Sequence, residues 1–316
     1  MSRAGFNRLT AHATPLLLLA ANIPDIDIVT LTGGPGNYFH YHRGITHSLV
    51  MMPVMAALAV MLVWPFFRRS MRLLPAFVVA LIGVMSHLLL DWTNHYGIRL
   101  LLPWSGEWLK LNTTGVVDGW IWLAFAFALA GPAISRLVSS EIGAHRSSGR
   151  GAAIFALLFV LFYDGGRYVL CQRAKLVQEA RLFDGASPRR LTVVPSRLNP
   201  FQWIGIVDTG PAFYVSAINL LQDFDPSAAR VLYKPDQVPN IDAIARTQPF
   251  QDLLAFTNFT YWRVEPATER GNKTRVDAMD LRFGTPPDEA FISSAVLTEN
   301  KQVERAWFHY TADPQR

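Results

Sequence analysis

Residues 49–67, LVMMPVMAALAVMLVWPFF, run without a single charged side chain. Crossing the hydrocarbon core of a bilayer takes roughly 20 such residues in a helix. A chain that repeats this pattern must satisfy its backbone polar groups within each helix, which leaves few folds open to it. It is repeated at 73–90 (LLPAFVVALIGVMSHLLL) and at 116–134. Residues 151–163 are apolar over a shorter length, and Asp164 and Arg167 interrupt their continuation toward Leu170. The first apolar run, 13–23, is shorter still and spans only if residues 6–12 are included. Four to five spans are therefore expected.

Composition sharpens the division of the chain. Charged residues make up 17% and hydrophobic ones 51%, against about a quarter charged in soluble domains. The deficit lies in the first half. From about Arg173 onward the composition is that of a soluble protein, and short β-like runs begin after Asp184-Gly185: LTVVPS, WIGIVD, AFYVSAI, FTYWRVE, VDAMDLRF and FISSAVLT. The expected architecture is a membrane all-α helical bundle over 1–183, then a small soluble α+β domain, mainly antiparallel β, over 184–316.

Arginines mark the orientation. Arg3 and Arg8 precede the first run, Arg68, Arg69 and Arg72 fill the second link, and Arg136, Arg146 and Arg150 fill the fourth. If the first run spans, all three clusters share the side that the positive-inside rule makes cytoplasmic. The C-terminal domain and the links 24–46 and 91–118 then face the opposite, periplasmic side of a bacterial inner membrane. Trp92, Trp104, Trp108, Trp120 and Trp122 crowd that same side, as interfacial tryptophans do. The net charge of +5 is modest, so membrane orientation accounts for it and nucleic acid is not an expected partner. Cys171 is the one cysteine, which excludes internal disulfides. No cleavable signal peptide is expected, because the first run ends in Pro-Asp-Ile-Asp.

Three stretches on the expected outer side carry metal-ligand chemistry. IPDIDIV holds Asp25 and Asp27 in what reads as a non-helical turn set by Pro24. HYHRGITHSLV holds His40, His42 and His47 with Arg43, Thr46 and Ser48. His42 is expected in a loop and His47 in the first turn of the next helix, with Gly44 permitting the change of direction. SHLLLDWTNHYG holds His87, Asp91 and His95; His87 and Asp91 are four apart on an apolar helix and share a face. Carboxylates at a lipid boundary are costly unless exposed, paired or bound to a cation. Taken singly, each group is more often a cap or an interfacial residue, and Asp118 reads as the cap of the fourth helix. Together, mixed imidazole and carboxylate sets favour zinc, manganese or iron over calcium or magnesium. Arg43, between two candidate ligands, is suited to stabilising negative charge at a reacting centre or to snorkelling toward headgroups. His12, His145 and His309 lie outside this group.

NIPDIDIV, YHRGITHSLV, SHLLLDWTNHYGIRLLLPWS and VVDGWIW together resemble the bacterial inner-membrane metal-dependent hydrolase family called YdjM-like or LexA-regulated. The resemblance covers roughly residues 3–185, and PSRLNPFQWIGIVDT is similar to the soluble tail of longer members. It implies an integral membrane protein with a divalent metal site and hydrolase activity, the ligands by motif match being Asp25, Asp27, His42, His47, His87 and Asp91. A more distant likeness to zinc phospholipase C and single-strand nucleases, which use a His-x3-Asp helix, implies a phosphoester substrate. Two departures stand out. Members usually begin with a Thr-His-containing helix ahead of the segment matching SRAGFNR, where this chain starts, so the resemblance implies either a mis-assigned start or the lack of one span and one histidine ligand. Many also have Asp-Pro-Trp where this chain has Asp118-Gly119-Trp120.

The expected activity is hydrolysis of a small-molecule or lipid ester or phosphoester by a metal-activated water, the metal being zinc, with manganese or iron as alternatives. Asp25 or Asp27 would serve as general base and Arg43 would stabilise developing charge. The rival is a non-catalytic membrane protein with a structural metal site and a partner-binding C-terminal domain. A transporter fits less well, since these spans offer few polar mid-helix residues.

Overall fold

The structure is a computed structural model that describes residues 1–142, 149–267 and 272–311. His145 and Arg146 lie outside the described residues. Six helices, α1 (Ala13–Ala20), α2 (Pro35–Tyr41), α3 (Met52–Phe67), α4 (Leu73–Thr93), α5 (Gly119–Ile142) and α6 (Arg150–Glu179), come before any strand. Two four-stranded sheets follow, in orders β1-β2-β3-β4 and β5-β6-β7-β8. The first comprises β1 (Arg190–Pro195), β2 (Gln202–Asp208), β3 (Ala212–Asn219) and β4 (Arg230–Tyr233). The second comprises β5 (Thr260–Pro266), β6 (Thr274–Asp280), β7 (Ala290–Leu297) and β8 (Val303–Thr311). Helices α7 (Ile241–Ala245) and α8 (Gln248–Phe256) connect the sheets.

Helices α4 and α6 are long and apolar enough to cross a membrane, and the number reaches four if each of two bent helix pairs counts as one span. Taken singly, the spans fall short of the expected four to five; they reach four only with both bent pairs, because α3 is 16 residues long and α1 is 8 before its backbone tightens. The expected span at 116–134 is not among the four, since its apolar stretch, Gly119–Ser135, is shorter.

By its contacts the chain groups into two units. One is Met1–Ile26, Arg43–Gln172 and Pro195–Phe201; the other is Asp27–His42, Arg173–Val194 and Gln202–Arg316. This grouping does not follow chain order, because Asp27–His42 belongs with the strands.

In the first unit α1, α3 and α4 pack through small side chains. Ala13 and Ala20, Ala56 and Ala59, and Ala76 and Ala80 are all fully buried. A Cβ added at Gly83 would lie 2.9 Å from that of Ala20, so the glycine sets how closely α1 and α4 approach. Apolar side chains offer one another no advantage over lipid tails, and close backbone approach is what holds such helices together. Leu73, Leu74, Met85 and Leu89 of α4 face outward, as lipid contacts require.

In the second unit β2–β3, β3–β4, β5–β6, β6–β7 and β7–β8 pair antiparallel. Val194, Ile206, Phe213 and Leu232 of the first sheet form a core with Phe259 and Leu281. The segment Asp27–His42 is stapled to this unit by Phe39, which stacks on Phe308 of β8 at 4.2 Å and meets Phe256 of α8 edge-on at 5.3 Å.

Candidate metal centre

Asp25 and Asp27 lie on a 3-10 helix, Ile23–Gly33, and not in the non-helical turn expected from Pro24. Ile26, between the two acids, faces outward. Asp25 neighbours His47 and His87, and Asp27 neighbours His42.

In the first unit Asp25 Oδ1 lies 3.3 Å from His47 Nε2 and 3.6 Å from His87 Nε2. The two imidazole nitrogens are 3.2 Å apart. A tetrahedral zinc site with bonds of about 2.0–2.1 Å has ligand–ligand edges of about 3.3–3.4 Å, so these three atoms outline one face of such a site. His47 is fully buried and His87 mostly so, whereas the Asp25 side chain is 46% exposed and keeps this face open to solvent.

Asp91 lies one turn beyond His87 on α4. Its Oδ2 is buried, accepts no hydrogen bond, and sits 3.3 Å from His87 Nε2 and 3.6 Å from His47 Nε2. A buried carboxylate oxygen without a donor is costly. A cation at the imidazoles would relieve that cost.

The surrounding groups fix how the ligands present themselves. His87 Nδ1 lies 2.7 Å from the Ala21 carbonyl, which can only accept, so Nδ1 carries the proton and Nε2 offers its lone pair. Thr46 Oγ1 lies 3.0 Å from His47 Nδ1. Arg43 donates through Nη2 to Asp91 Oδ1 at 2.7 Å, and through Nη1 to Asn94 Oδ1 and the Gly97 carbonyl, both at 3.1 Å. Outer contacts of this kind orient ligands and raise their basicity. Arg43 also has the left-handed backbone, with φ of 52°. The chain therefore reverses at Arg43, while Gly44, expected to make the turn, keeps a negative φ of −90°. His47 sits in a separate 3-10 turn, Ile45–His47, ahead of α3.

In the second unit Asp27 is buried and its Oδ1 lies 3.2 Å from His42 Nδ1. Tyr38 stacks on the His42 ring at 4.5 Å. Tyr310 is partly buried nearby, and burial, with the neighbouring Tyr38 hydroxyl and Asp27 carboxylate, raises its phenol above the ordinary range.

The other candidates have plainer roles. His40 Nδ1 pairs with Asp252 at 2.7 Å. His95 Nδ1 lies 3.4 Å from the Thr114 carbonyl. Ser48 Oγ bonds to the Ile45 carbonyl, closing a local turn. Asp118 Oδ1 accepts the backbone N–H of Trp120 at 3.0 Å and of Ile121 at 3.4 Å, capping α5, and its Oδ2 accepts the Tyr163 hydroxyl. His12 stacks on Phe67, and His309 bonds to Ser294.

Two contributors escaped the sequence reading. Asn94 gathers Arg43 and the N–H groups of Tyr96 and Gly97 on one side-chain oxygen, and the Ala21 carbonyl sets the His87 tautomer. Asn94, three residues after Asp91, carried a signal as the cap closing α4. A backbone carbonyl carries none.

A helical membrane protein with a histidine–aspartate cluster among its helices, followed by a two-sheet domain, is the class that fold and site define. The model of the YdjM inner membrane protein family matches residues 2–175, more than half of the chain. The chain belongs to that family and is an inner membrane protein. It is similar to the uncharacterized protein YfhP of Bacillus subtilis (strain 168), with 23% identity over 299 residues that cover 92% of this chain and 83% of YfhP. It is also similar to the inner membrane protein YbcI of Escherichia coli (strain K12), with 36% identity over 94 residues that cover 28% of this chain and 53% of YbcI. No solved structure matches the chain.

Proposed function

We propose that this protein is a membrane-embedded metal-dependent hydrolase acting on an ester or phosphoester, with lipid-derived substrates the natural class for a site carried on membrane helices. The proposed ligands are Asp25, Asp27, His42, His47, His87 and Asp91. The observation that carries the reading is the triangle of Asp25 Oδ1, His47 Nε2 and His87 Nε2, with edges of 3.2, 3.3 and 3.6 Å. Two imidazoles with carboxylates favour zinc, with manganese or iron as alternatives. Such an ion, when bound, lowers the pKa of a coordinated water and polarises an ester or phosphoryl oxygen.

The chain's own groups do the rest. His87, with its proton held on Nδ1 by Ala21, keeps Nε2 available. Arg43 holds Asp91 Oδ1 so that Oδ2 stays turned to the imidazoles. Its guanidinium is engaged in the protein, which suits orienting a ligand better than meeting a substrate. Asp25, the most exposed of the cluster, is placed to take a proton from water, a role Asp27 would share. The site and the C-terminal domain are proposed to face the periplasm, on the distribution of arginines in the links.

One observation favours a second reading. Asp91 Oδ2 offers a fourth protein donor, and a site closed by four protein ligands is structural. The C-terminal domain would then be the working part, binding a partner. Metal content of the purified protein, with phosphodiesterase and lipase assays on wild type, His87→Ala and Asp91→Ala, separates the two. Loss of metal and of hydrolysis together supports the enzyme. Bound metal in a wild type that hydrolyses nothing across a broad ester panel supports the structural site.

A further inference from the structure

Helix α6 outruns the membrane. Its 30 residues extend about 45 Å at 1.5 Å per residue, against about 30 Å of hydrocarbon. On the last turns, Ala174 and Gln178 are fully buried, and Gln178 reaches the Thr192 carbonyl of β1. The neighbouring stripe, Arg173, Leu176, Val177, Ala180 and Arg181, follows the i, i+3, i+4, i+7, i+8 spacing of one helix face. It lines a cavity of about 550 Å³, whose facing wall includes Phe224 and Asp223.

Arg173 and Arg181 are exposed and make no ion pair or side-chain hydrogen bond with any described residue. They bracket an apolar floor two turns long. Asp223 is the one carboxylate in the lining, so the groove carries a positive balance. A 20-residue crossing counted from Gly151 ends at Leu170, and Arg173 lies three residues further, about 4.5 Å along the axis. Arginine forks match phosphate oxygens, and cations beside a membrane attract anionic lipid.

We propose that this groove binds the headgroup phosphate of an anionic phospholipid drawn from the leaflet around α6. The two guanidinium groups clasp the phosphate, and Leu176, Val177 and Phe224 cover the upper part of an acyl chain. The site is separate from the metal centre and does not depend on it.

Calorimetric titration of the full-length protein in detergent with dioctanoyl phosphatidylglycerol tests this. The arms are dioctanoyl phosphatidylcholine, which has the same tails without net charge, and glycerol 3-phosphate, which has the phosphate without tails. Saturable binding of phosphatidylglycerol, at least tenfold tighter than either, is expected. Arg173→Gln and Arg181→Gln each weaken it by about tenfold, the double variant removes it, Arg181→Lys recovers part, and Arg246→Gln changes nothing. Equal affinity for phosphatidylcholine, or undiminished binding by the double variant, overturns the proposal. Binding of glycerol 3-phosphate as tight as that of the lipid also overturns it, making this a site for soluble anions. The wild-type selectivity stands as a test without any substitution.

Discussion

Two clusters of buried charge, one in each unit, solve the same problem in opposite ways. In the second sheet Asp277 is surrounded by donors. Arg275 Nε reaches Oδ1 at 2.9 Å, Ser294 Oγ reaches it at 2.6 Å, and Arg263 reaches Oδ2 at 2.9 Å. The other arm of Arg263 takes Glu289 at 2.9 Å, and Asp280 is held by Arg282 through its side chain and backbone. Acids and guanidinium groups neutralise one another there, so the fold completes the cluster. Among the helices, Asp25, His47, His87 and Asp91 turn lone pairs toward each other, and Arg43 holds an Asp91 oxygen from outside. Such a cluster gains from an added cation, and the β-sheet cluster does not.

The contrast can be broken or sharpened by substitution. The largest effect should come from His47→Ala with His87→Ala, which removes two of three converging atoms. Bound divalent metal is expected to fall from stoichiometric to background, read by elemental analysis, while the second sheet keeps its hydrogen-exchange protection. Next, Asp277→Ala takes the carboxylate from the buried Arg275 and leaves Arg263 with Glu289. It should destabilise the second unit by about 3–5 kcal/mol, as broken buried pairs do, and leave metal content unchanged. Urea unfolding followed by hydrogen exchange on β6 and β7 reads this.

Arg43→Gln tests the outer contact. It should weaken metal affinity by about 10–100-fold, measured by competition with a chelator, with the ligands all present. Unchanged affinity would mean that Arg43 serves the turn alone.

The smallest effect concerns Asp208 at the end of β2. Burial pushes its pKa up, but Lys234 at 2.7 Å, Arg190 at 2.6 Å and the Gly210 N–H outweigh this and hold it below the ordinary carboxylate range. A depressed folded-state pKa stabilises the fold above the unfolded value of about 4. That stability is lost as pH falls through the folded value. Arg190 is half exposed, so at most about 1 kcal/mol is at stake. Asp208→Asn should flatten the acid limb of the unfolding midpoint against pH.

The membrane half was legible because apolar length and helical spacing are local properties. His87 and Asp91 share a face for that reason alone, and Asp118 could be read as a cap from its place before Gly119 and Trp120. What escaped depends on partners distant in sequence. The 3-10 winding of Ile23–Gly33, where Pro24 suggested a non-helical turn, is announced by no side-chain pattern. The association of Asp27–His42 with the strands rests on Phe39 meeting Phe308, 269 residues away in the chain. Strands β4 and β8 went unnoticed for a simpler reason. RVLY is four residues long, and VERAWFHYT carries Glu304 and Arg305, as edge strands do.

The most direct test of the central claim is the metal content of the full-length protein, purified without chelators and compared with the His47→Ala, His87→Ala double variant. The account predicts at least one divalent ion per chain in the wild type and none above background in the variant. A wild type that holds no ion, even after dialysis against zinc, or a variant that holds as much as the wild type, would contradict it.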